Sequence, residues 1–426
     1  MSQKTFEFRC PIYGFITLSE WEREIISQPA FQRLRRIGQL AFTNYVYPGA
    51  MHTRFEHSLG VMHMATMLYD GIVERSRELL RSTFGYNDEG LGRHRALVRL
   101  AALLHDVGHS PFSHAGEEIF PSKEDSGSGK PYSHEEYSAA VIRNRFADVI
   151  GSHRANNNYG FTADDVAVLL EGSADTESAL FWRGLVTSQM DADRMDYLLR
   201  DSHHAGVDYG RFDWRRLVQT IEAVPGVRGG SPALGVSEGG LHAAEGLILA
   251  RYFMFTQVYF HKTRVAYDHH LKEALKEILP GGCFPSPTEE RLDEYLDWDD
   301  WRVLGAVKNG GGGEHGRRIL DRDHYREIWH TLEIPGPEDE EELREQRGKL
   351  GELLAAEIPA KKSWYNTGSS DIPVFTETLA RERKPLSSFS SVVSSIKPIH
   401  QIRLYVKAED REKANRRLRE RGSDNG

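Results

Sequence analysis

Residues 103–114 read Leu103-Leu104-His105-Asp106-Val107-Gly108-His109-Ser110-Pro111-Phe112-Ser113-His114. They continue an apolar stripe, Leu97, Leu100, Ala101 and Leu104, whose i, i+3, i+4, i+7 spacing marks the buried face of a helix. Neighbouring side chains point about 100° apart around a helix. His105 and Asp106 therefore face one ion only at a helix end or beside other helices, and partners from elsewhere in the chain are required.

Eight of the 19 histidines fall between positions 52 and 134: His52, His57, His63, His94, His105, His109, His114 and His134. Divalent first-row metals with mixed nitrogen and oxygen ligands take several imidazoles and one or two carboxylates. One candidate source is His57, in His52-Thr53-Arg54-Phe55-Glu56-His57-Ser58-Leu59-Gly60 at the start of the preceding helix. Another is Asp191-Ala192-Asp193-Arg194-Met195-Asp196-Tyr197, in a helix expected to be buried. His63 and His94 are read as ordinary core or surface histidines.

Further out, helical spacing dominates from Trp21 to Asp213, with Leu59, Met62, Thr66 and Tyr69 as a second stripe. Breaks at 85–92, 121–131 and 151–160 read as exposed loops. The Gly- and Pro-rich stretch 224–240 reads as a small hairpin or lid, and helix resumes over 241–279. Beyond it, 308–314 (KNGGGGE) reads as a flexible tip and 335–342 as a turn into a charged helix. The alternation in 400–407 predicts a strand, and 410–421 a charged terminal helix. Single cores stop growing near ~250–300 residues, so the 426 residues divide into a helical domain over 1–280 and a mixed α/β region over 281–426. The fold class is mainly α.

A net charge of -9 excludes the broad basic face that duplex nucleic acid needs, while leaving room for a local basic pocket for small anions. Two cysteines, Cys10 and Cys283, without a CxxC, support neither a disulfide framework nor a thiolate zinc site. The charged stretch 1–10 lacks a signal peptide's apolar segment, and no apolar run reaches the ~18–20 residues of a spanning helix. A soluble protein of the reducing cytoplasm, with no membrane partner, is expected.

The stretches QRLRRIGQL, TRFEHSLGV, LLHDVGHSPFSHAGE, SHEEYSA and DADRMDYLLRDSHHAG occur in the order and nearly the spacing of the HD-domain dNTP triphosphohydrolases. The chain resembles that family, with its vertebrate and bacterial members, over roughly its first 270 residues. The resemblance implies an HD-type helical phosphohydrolase core and one divalent ion (Fe, Mn, Zn, Mg or Ni) on His57, His105, Asp106 and Asp193, with a second magnesium accompanying the nucleotide. It implies that His109 and His114 contact the substrate phosphates, His109 beside the chemistry, and that His134 and Glu117 form the proton-transferring pair. The family more often has Asp where Glu117 stands. Arg54, Arg194 and Tyr197 match phosphate-side and sugar-side contacts, Gln39 and Leu40 lie beside the deoxyribose, Asp201 matches a 3′-hydroxyl acceptor, and Tyr267 stacks on the sugar. A dNTP substrate, a nucleotide activator and a homo-oligomer, dimer or tetramer, are the partners implied. Ser27 and Cys10 replace acidic residues of the vertebrate enzyme, which argues against a guanine-specific activator site of its design.

The residue types suit that chemistry in their own right. Water attack on a phosphoryl centre needs a cation, donors for the non-bridging oxygens and an acid for the leaving oxygen. The plainer readings make His114 a helix cap, Glu117 a solvent-facing carboxylate, His203 and His204 packing residues, and Arg33, Arg35 and Arg36 a solvated basic face. Two rival functions remain: an HD-type nucleotidase or phosphodiesterase on another phosphate ester, and a nucleotide-sensing module. Replacing Asp193 by Ala is expected to abolish metal retention and turnover while sparing the fold, because apolar neighbours carry its helix. Metal analysis of the purified variant beside its circular dichroism checks this.

Overall fold

Leu59, Met62, Thr66 and Tyr69 all lie buried along one 31-residue helix, Arg54–Phe84, the axis of the molecule. The computed structural model describes residues 5–123, 129–172, 176–225, 231–363, 365–366, 368–376 and 383–420. The long helix packs against Asp88–Leu104, whose stripe of Leu97, Leu100, Ala101 and Leu104 is also buried, and against Ala192–Ala205. Its one non-helical residue, Ser76, accepts from the Ala223 N–H at 3.0 Å and donates to the Ala223 carbonyl at 3.2 Å. That exchange ties the helix to the strand Ile221–Val224. The chain is mainly α, with a smaller mixed region towards its C-terminus.

Three small sheets accompany the helices. Thr5–Cys10 and Gly14–Ser19 form an N-terminal antiparallel hairpin. Ile221–Val224 pairs antiparallel with Ala233–Ser237, so 224–240 belongs to a hairpin, its residues 226–230 lying outside those described. Pro373–Phe375 extends that sheet parallel to Ala233–Ser237. In the third sheet Ile399–Val406 lies between Arg326–His330 and Leu354–Lys362, antiparallel to both. The charged helices Pro337–Leu350 and Arg411–Arg419 cover it through Leu343, Leu350 and Ala414, which pack with Leu404 and Val406.

Two loop expectations are corrected by packing. The break at 85–92 shrinks to Gly85-Tyr86-Asn87: Gly85 ends one helix at φ 69°, and the Asn87 side chain caps the next by accepting from Gly90 N–H at 2.7 Å. The run 308–314 is a close-packed turn, not a flexible tip. At Gly312, φ is 76° and an added Cβ would lie 2.7 Å from the Ala274 Cβ, so only glycine fits there. Of the segment 121–131, residues 124–128 fall outside those described; Lys123 N–H donates to Lys130 O at 3.0 Å across its base.

Residues beyond 280 are stitched into the helical part. Phe284, Tyr295, Trp298, Val303 and Ile319 share a core with Phe42, Phe112, Tyr137 and Leu271. The Tyr295 hydroxyl donates to Gly108 O at 2.6 Å. Asp300, 9% exposed, accepts from Phe112 N–H at 2.7 Å and Gly38 N–H at 2.8 Å. Arg33 is no surface cation either: 1% exposed, it donates to Trp298 O and His109 O, each at 2.9 Å. Arg35 is exposed and stacks over Phe55, and Arg36, half-buried, pairs with Asp299, so burial overturns the solvated-face reading for Arg33 alone. Asp300→Ala should leave two buried N–H groups without acceptors, each costing roughly 1–3 kcal/mol. A lowered urea midpoint, with Asp300→Asn intermediate because it keeps acceptor capacity, is the expected result.

Candidate metal centre and active-site cleft

The four candidate metal ligands and His134 stand at or beside helix termini. The capping box of Thr53 and Glu56 starts the long helix, so Arg54 and His57 lie in its first turn. Asp88–Leu104 ends at His105, its C-cap, which frees His105 and Asp106 from helical spacing and lets both face inward. The Asp191 side chain accepts from Arg194 N–H at 2.8 Å and starts Ala192–Ala205, placing Asp193 in that first turn. Ser133 likewise caps His134–Arg145.

These ends bring the four predicted ligands together. His57 Nε2 lies 2.9 Å from Asp193 Oδ1 and 3.6 Å from Asp106 Oδ2. His105 Nε2 lies 3.3 Å from Asp106 Oδ1 and 3.6 Å from Asp193 Oδ1. Both imidazoles give their other nitrogen away: His57 Nδ1–H donates to Asp196 Oδ2 at 2.8 Å, and His105 Nδ1–H to Ala102 O at 2.8 Å. The Nε2 lone pairs thus point at carboxylate oxygens, and His105 Nε2 is buried without a hydrogen-bond partner. A cation or an extra proton must lie between such groups. Burial alone would push the His57 imidazole down, but hydrogen bonds to Asp193 and Asp196 lift it to about 10. Against the penalty of burial, Arg54 and His105 hold the Asp106 carboxyl far below the usual range, and the neighbouring His105 and His57 imidazoles do so for Asp193. Two nitrogens and two carboxylates suit a divalent transition metal.

Asp196, present in the motif but given no role there, supports His57. Burial raises its carboxyl, yet Arg200 holds it down at about 2. Arg200 Nε and Nη2 both donate to it at 2.8 Å, and Tyr13 Oη–H at 2.9 Å. This packing explains Gly60, where an added Cβ would lie 2.0 Å from Asp196 Oδ1. The i, i+3 step from Asp193 to Asp196 was the available signal, because an imidazole ligand needs an acceptor for its second nitrogen.

Beside the centre, Glu117 Oε1 collects three imidazoles: His114 Nδ1 at 2.9 Å, His134 Nδ1 at 3.0 Å and His109 Nε2 at 3.4 Å. His109 and His134 stack, with ring centroids 4.5 Å apart. Burial would lower His134, but Glu117 lifts it to about 9. Burial, Arg54 and His134 together push His109 well down, so it is a neutral donor, and both of its ring nitrogens lack hydrogen-bond partners. The backbone carrying these groups takes positive φ at Phe112 and Ser113, where Arg54 Nε donates to Ser113 Oγ at 2.9 Å.

A cleft of about 480 Å³ opens on both clusters. Gln39, Leu40, Arg54, His109, His114, His134, Arg194, Tyr197 and Asp201 line it with His105, Asp106 and Asp193. Tyr267 does not. It is 1% exposed and packs edge-on to Tyr45 beside Phe42, so a sugar-stacking role for it is corrected. Tyr259 lines the cleft instead and donates to Asp201 at 2.6 Å, while His52 Nε2–H bonds the other Asp201 oxygen at 2.7 Å. Arg251, Phe255, Arg264 and Lys362 are lining residues that sequence reasoning missed. Phe255 and Tyr259 are delivered by a π-helical turn, Phe255–Tyr259, and Lys362 by a strand distant in the chain, so helical periodicity carried no signal for them. His203 and His204 stay outside the cleft, His204 stacking on His52 at 4.4 Å.

Helix ends that converge two imidazoles and two carboxylates on one buried point define a metal-binding helical domain of the His-Asp type. Residues 54–201 match the HD domain and residues 212–420 the HD associated region. The chain thus carries an HD domain followed by an HD associated region, the two matches together covering most of its length. It is similar to the uncharacterized protein YwfO of Bacillus subtilis, 33% identical over 262 residues, 60% of this chain and 51% of that one. It is similar also to the deoxynucleoside triphosphate triphosphohydrolase SAMHD1 of Gallus gallus, 32% identical over 231 residues, 50% of this chain and 36% of the relative. The aligned stretch spans about half or less of each of these two relatives. A crystal structure of a hypothetical protein from Aquifex aeolicus, 29% identical, superposes with a TM-score of 0.79 over 98% of this chain and 100% of that one. No described helix is long and apolar enough to cross a membrane. Asp196→Asn should weaken metal affinity roughly 10–100-fold with the fold intact, since it removes the negative charge behind the His57 Nδ1–H. Calorimetric titration of metal-stripped protein with Mn²⁺ measures this.

Proposed function

We propose that this protein hydrolyses deoxynucleoside triphosphates to deoxynucleoside and inorganic triphosphate, with one divalent ion held by His57, His105, Asp106 and Asp193. The observation that carries the reading is one cleft lined by His105, Asp106 and Asp193 of that quartet, by His134 and by a wall of cationic side chains, with His57 behind Asp193 and Glu117 behind His134. A bound divalent ion would supply positive charge to the phosphoryl oxygens as charge builds on them. Neutral His109, together with His114, Arg54 and Arg194, would donate to the non-bridging oxygens. Water would bond to the α-phosphorus, the bond from phosphorus to O5′ would break, and O5′ would take its proton from His134. Glu117 would hold the His134 ring and stabilise its charged form. Gln39 and Leu40 would pack beside the deoxyribose, with Asp201 as acceptor for its 3′-hydroxyl. The similarity to the triphosphohydrolase of Gallus gallus supports this substrate class.

The metal-reconstituted protein is expected to release triphosphate from dNTPs in the presence of Mn²⁺, Mg²⁺ or Fe²⁺. Monophosphates and cyclic nucleotides belong in the same screen. Monophosphate with pyrophosphate as products, or turnover confined to another phosphate ester, would transfer the site to the nucleotidase or phosphodiesterase reading. Nucleotide binding without turnover would favour a sensing module.

The acid assignment has a definite pH signature. His134 carries its proton below about 9, so kcat should hold through neutral pH and fall as pH rises past that value. His134→Asn should lose this alkaline limb and lower kcat by roughly 10²–10⁴-fold. A pH–rate profile of both proteins provides the check.

A further inference from the structure

Lys362 ends the strand Leu354–Lys362, 169 positions after Asp193 (362 − 193 = 169), yet its side chain lines the same cleft. It is half-buried, and its ammonium lies over the Phe255 ring, 4.8 Å from the centroid. Arg251 approaches the same ring at 5.7 Å. No described carboxylate is close enough to pair with Lys362; Glu117 acts on it only through space. Burial, then Arg251 and Arg194, lower its affinity for a proton to a pKa of about 8.

An ammonium withdrawn from water beside two guanidinium groups is disfavoured unless an anion joins them. The strand's pairing with Ile399–Val406 is a backbone register and does not itself call for a lysine at 362. The neighbouring carboxyl of Asp191 does not supply the missing charge. It is already engaged: its oxygens accept from Ser188 N–H and Arg194 N–H at 2.8 Å each, and the Arg194 side chain reaches it at 3.4 Å. The ligand that suits two cations at one aromatic ring, with Arg194 lining the same cleft, is a multiply charged anion, and a polyphosphate tail carries such charge at spaced positions.

Resting on the proposed reaction, we infer that Lys362 is a substrate-binding residue that grips the terminal phosphates of the triphosphate, so that the C-terminal region contributes directly to the catalytic cleft. The ion centre and the His134–Glu117 pair act at the reacting end. Lys362 acts on the distal end, and its contact is the same in ground state and transition state. Its loss therefore falls on KM and leaves kcat nearly unchanged.

The test uses the full chain loaded with Mn²⁺, comparing wild type with Lys362→Met and Lys362→Arg. Removing one charge-assisted contact should raise KM for each dNTP roughly 10–100-fold in Lys362→Met with kcat within about threefold. Inhibition by inorganic triphosphate should weaken in parallel, inhibition by deoxynucleoside should not change, and Lys362→Arg should restore most of the affinity. Unchanged KM and triphosphate inhibition in Lys362→Met would overturn the assignment, and so would a fall in kcat alone. If wild type turns over no dNTP, the proposed reaction fails; calorimetric binding of inorganic triphosphate to the same three proteins then still decides the role of Lys362. Should Lys362→Met not fold, Lys362→Gln takes its place in both measurements.

Discussion

Two carboxylates and two imidazole lone pairs, all aimed at one buried point, make the constraint around which this molecule is organised. Groups of that kind repel or go unsatisfied unless positive charge lies between them. The surrounding architecture keeps them converged. Asp196 accepts from the Nδ1–H of His57, the Ala102 carbonyl accepts from that of His105, and Arg54 pairs with Asp106 at 2.5 Å. Arg200 and Tyr13 then hold Asp196. The acceptor behind each imidazole fixes its tautomer, leaving Nε2 as the metal-facing nitrogen on both rings.

Helix ends do the positioning. A ligand in mid-helix has residues three and four positions away on both sides of its face, whereas one in the first or last turn has them on one side only and leaves the other side open to an ion. The centre draws on two helix starts and one helix end, and the proton-transfer pair on the start of His134–Arg145 and the short helix His114–Glu117. The loop between them, with positive φ at Phe112 and Ser113, is held from the C-terminal side by Asp300 and Tyr295 and from the N-terminal side by Arg33. The C-terminal region is thus coupled to the site from beneath through this loop and from the cleft wall through Lys362.

How much of this was legible in the chain depended on whether the signal was local. The helices around Leu97–Leu104 and Leu59–Tyr69, the hairpin near 224–240 and the strand over 399–406 follow from periodicity and turn chemistry, and they form. The ordered motifs identified His57, His105, Asp106 and Asp193, and these four meet. Periodicity is silent on a π-helical turn, which delivered Tyr259 to the cleft where Tyr267 was expected, and on a strand arriving from the far half of the chain with Lys362. Composition misjudged the glycine-rich 308–314, because glycine serves close packing as readily as flexibility. It also misjudged Arg33, whose burial is decided by the carbonyls of Trp298 and His109.

By itself the sequence determined which residue types are available for metal binding and proton transfer, in which order they occur, and that most of them ride on helices. These properties depend on neighbours a few positions apart. Only the tertiary structure decided which lone pairs converge, which cations lie buried without a carboxylate, and which half of the chain closes the cleft. Those are set by distances between residues far apart in the chain, which no local pattern encodes.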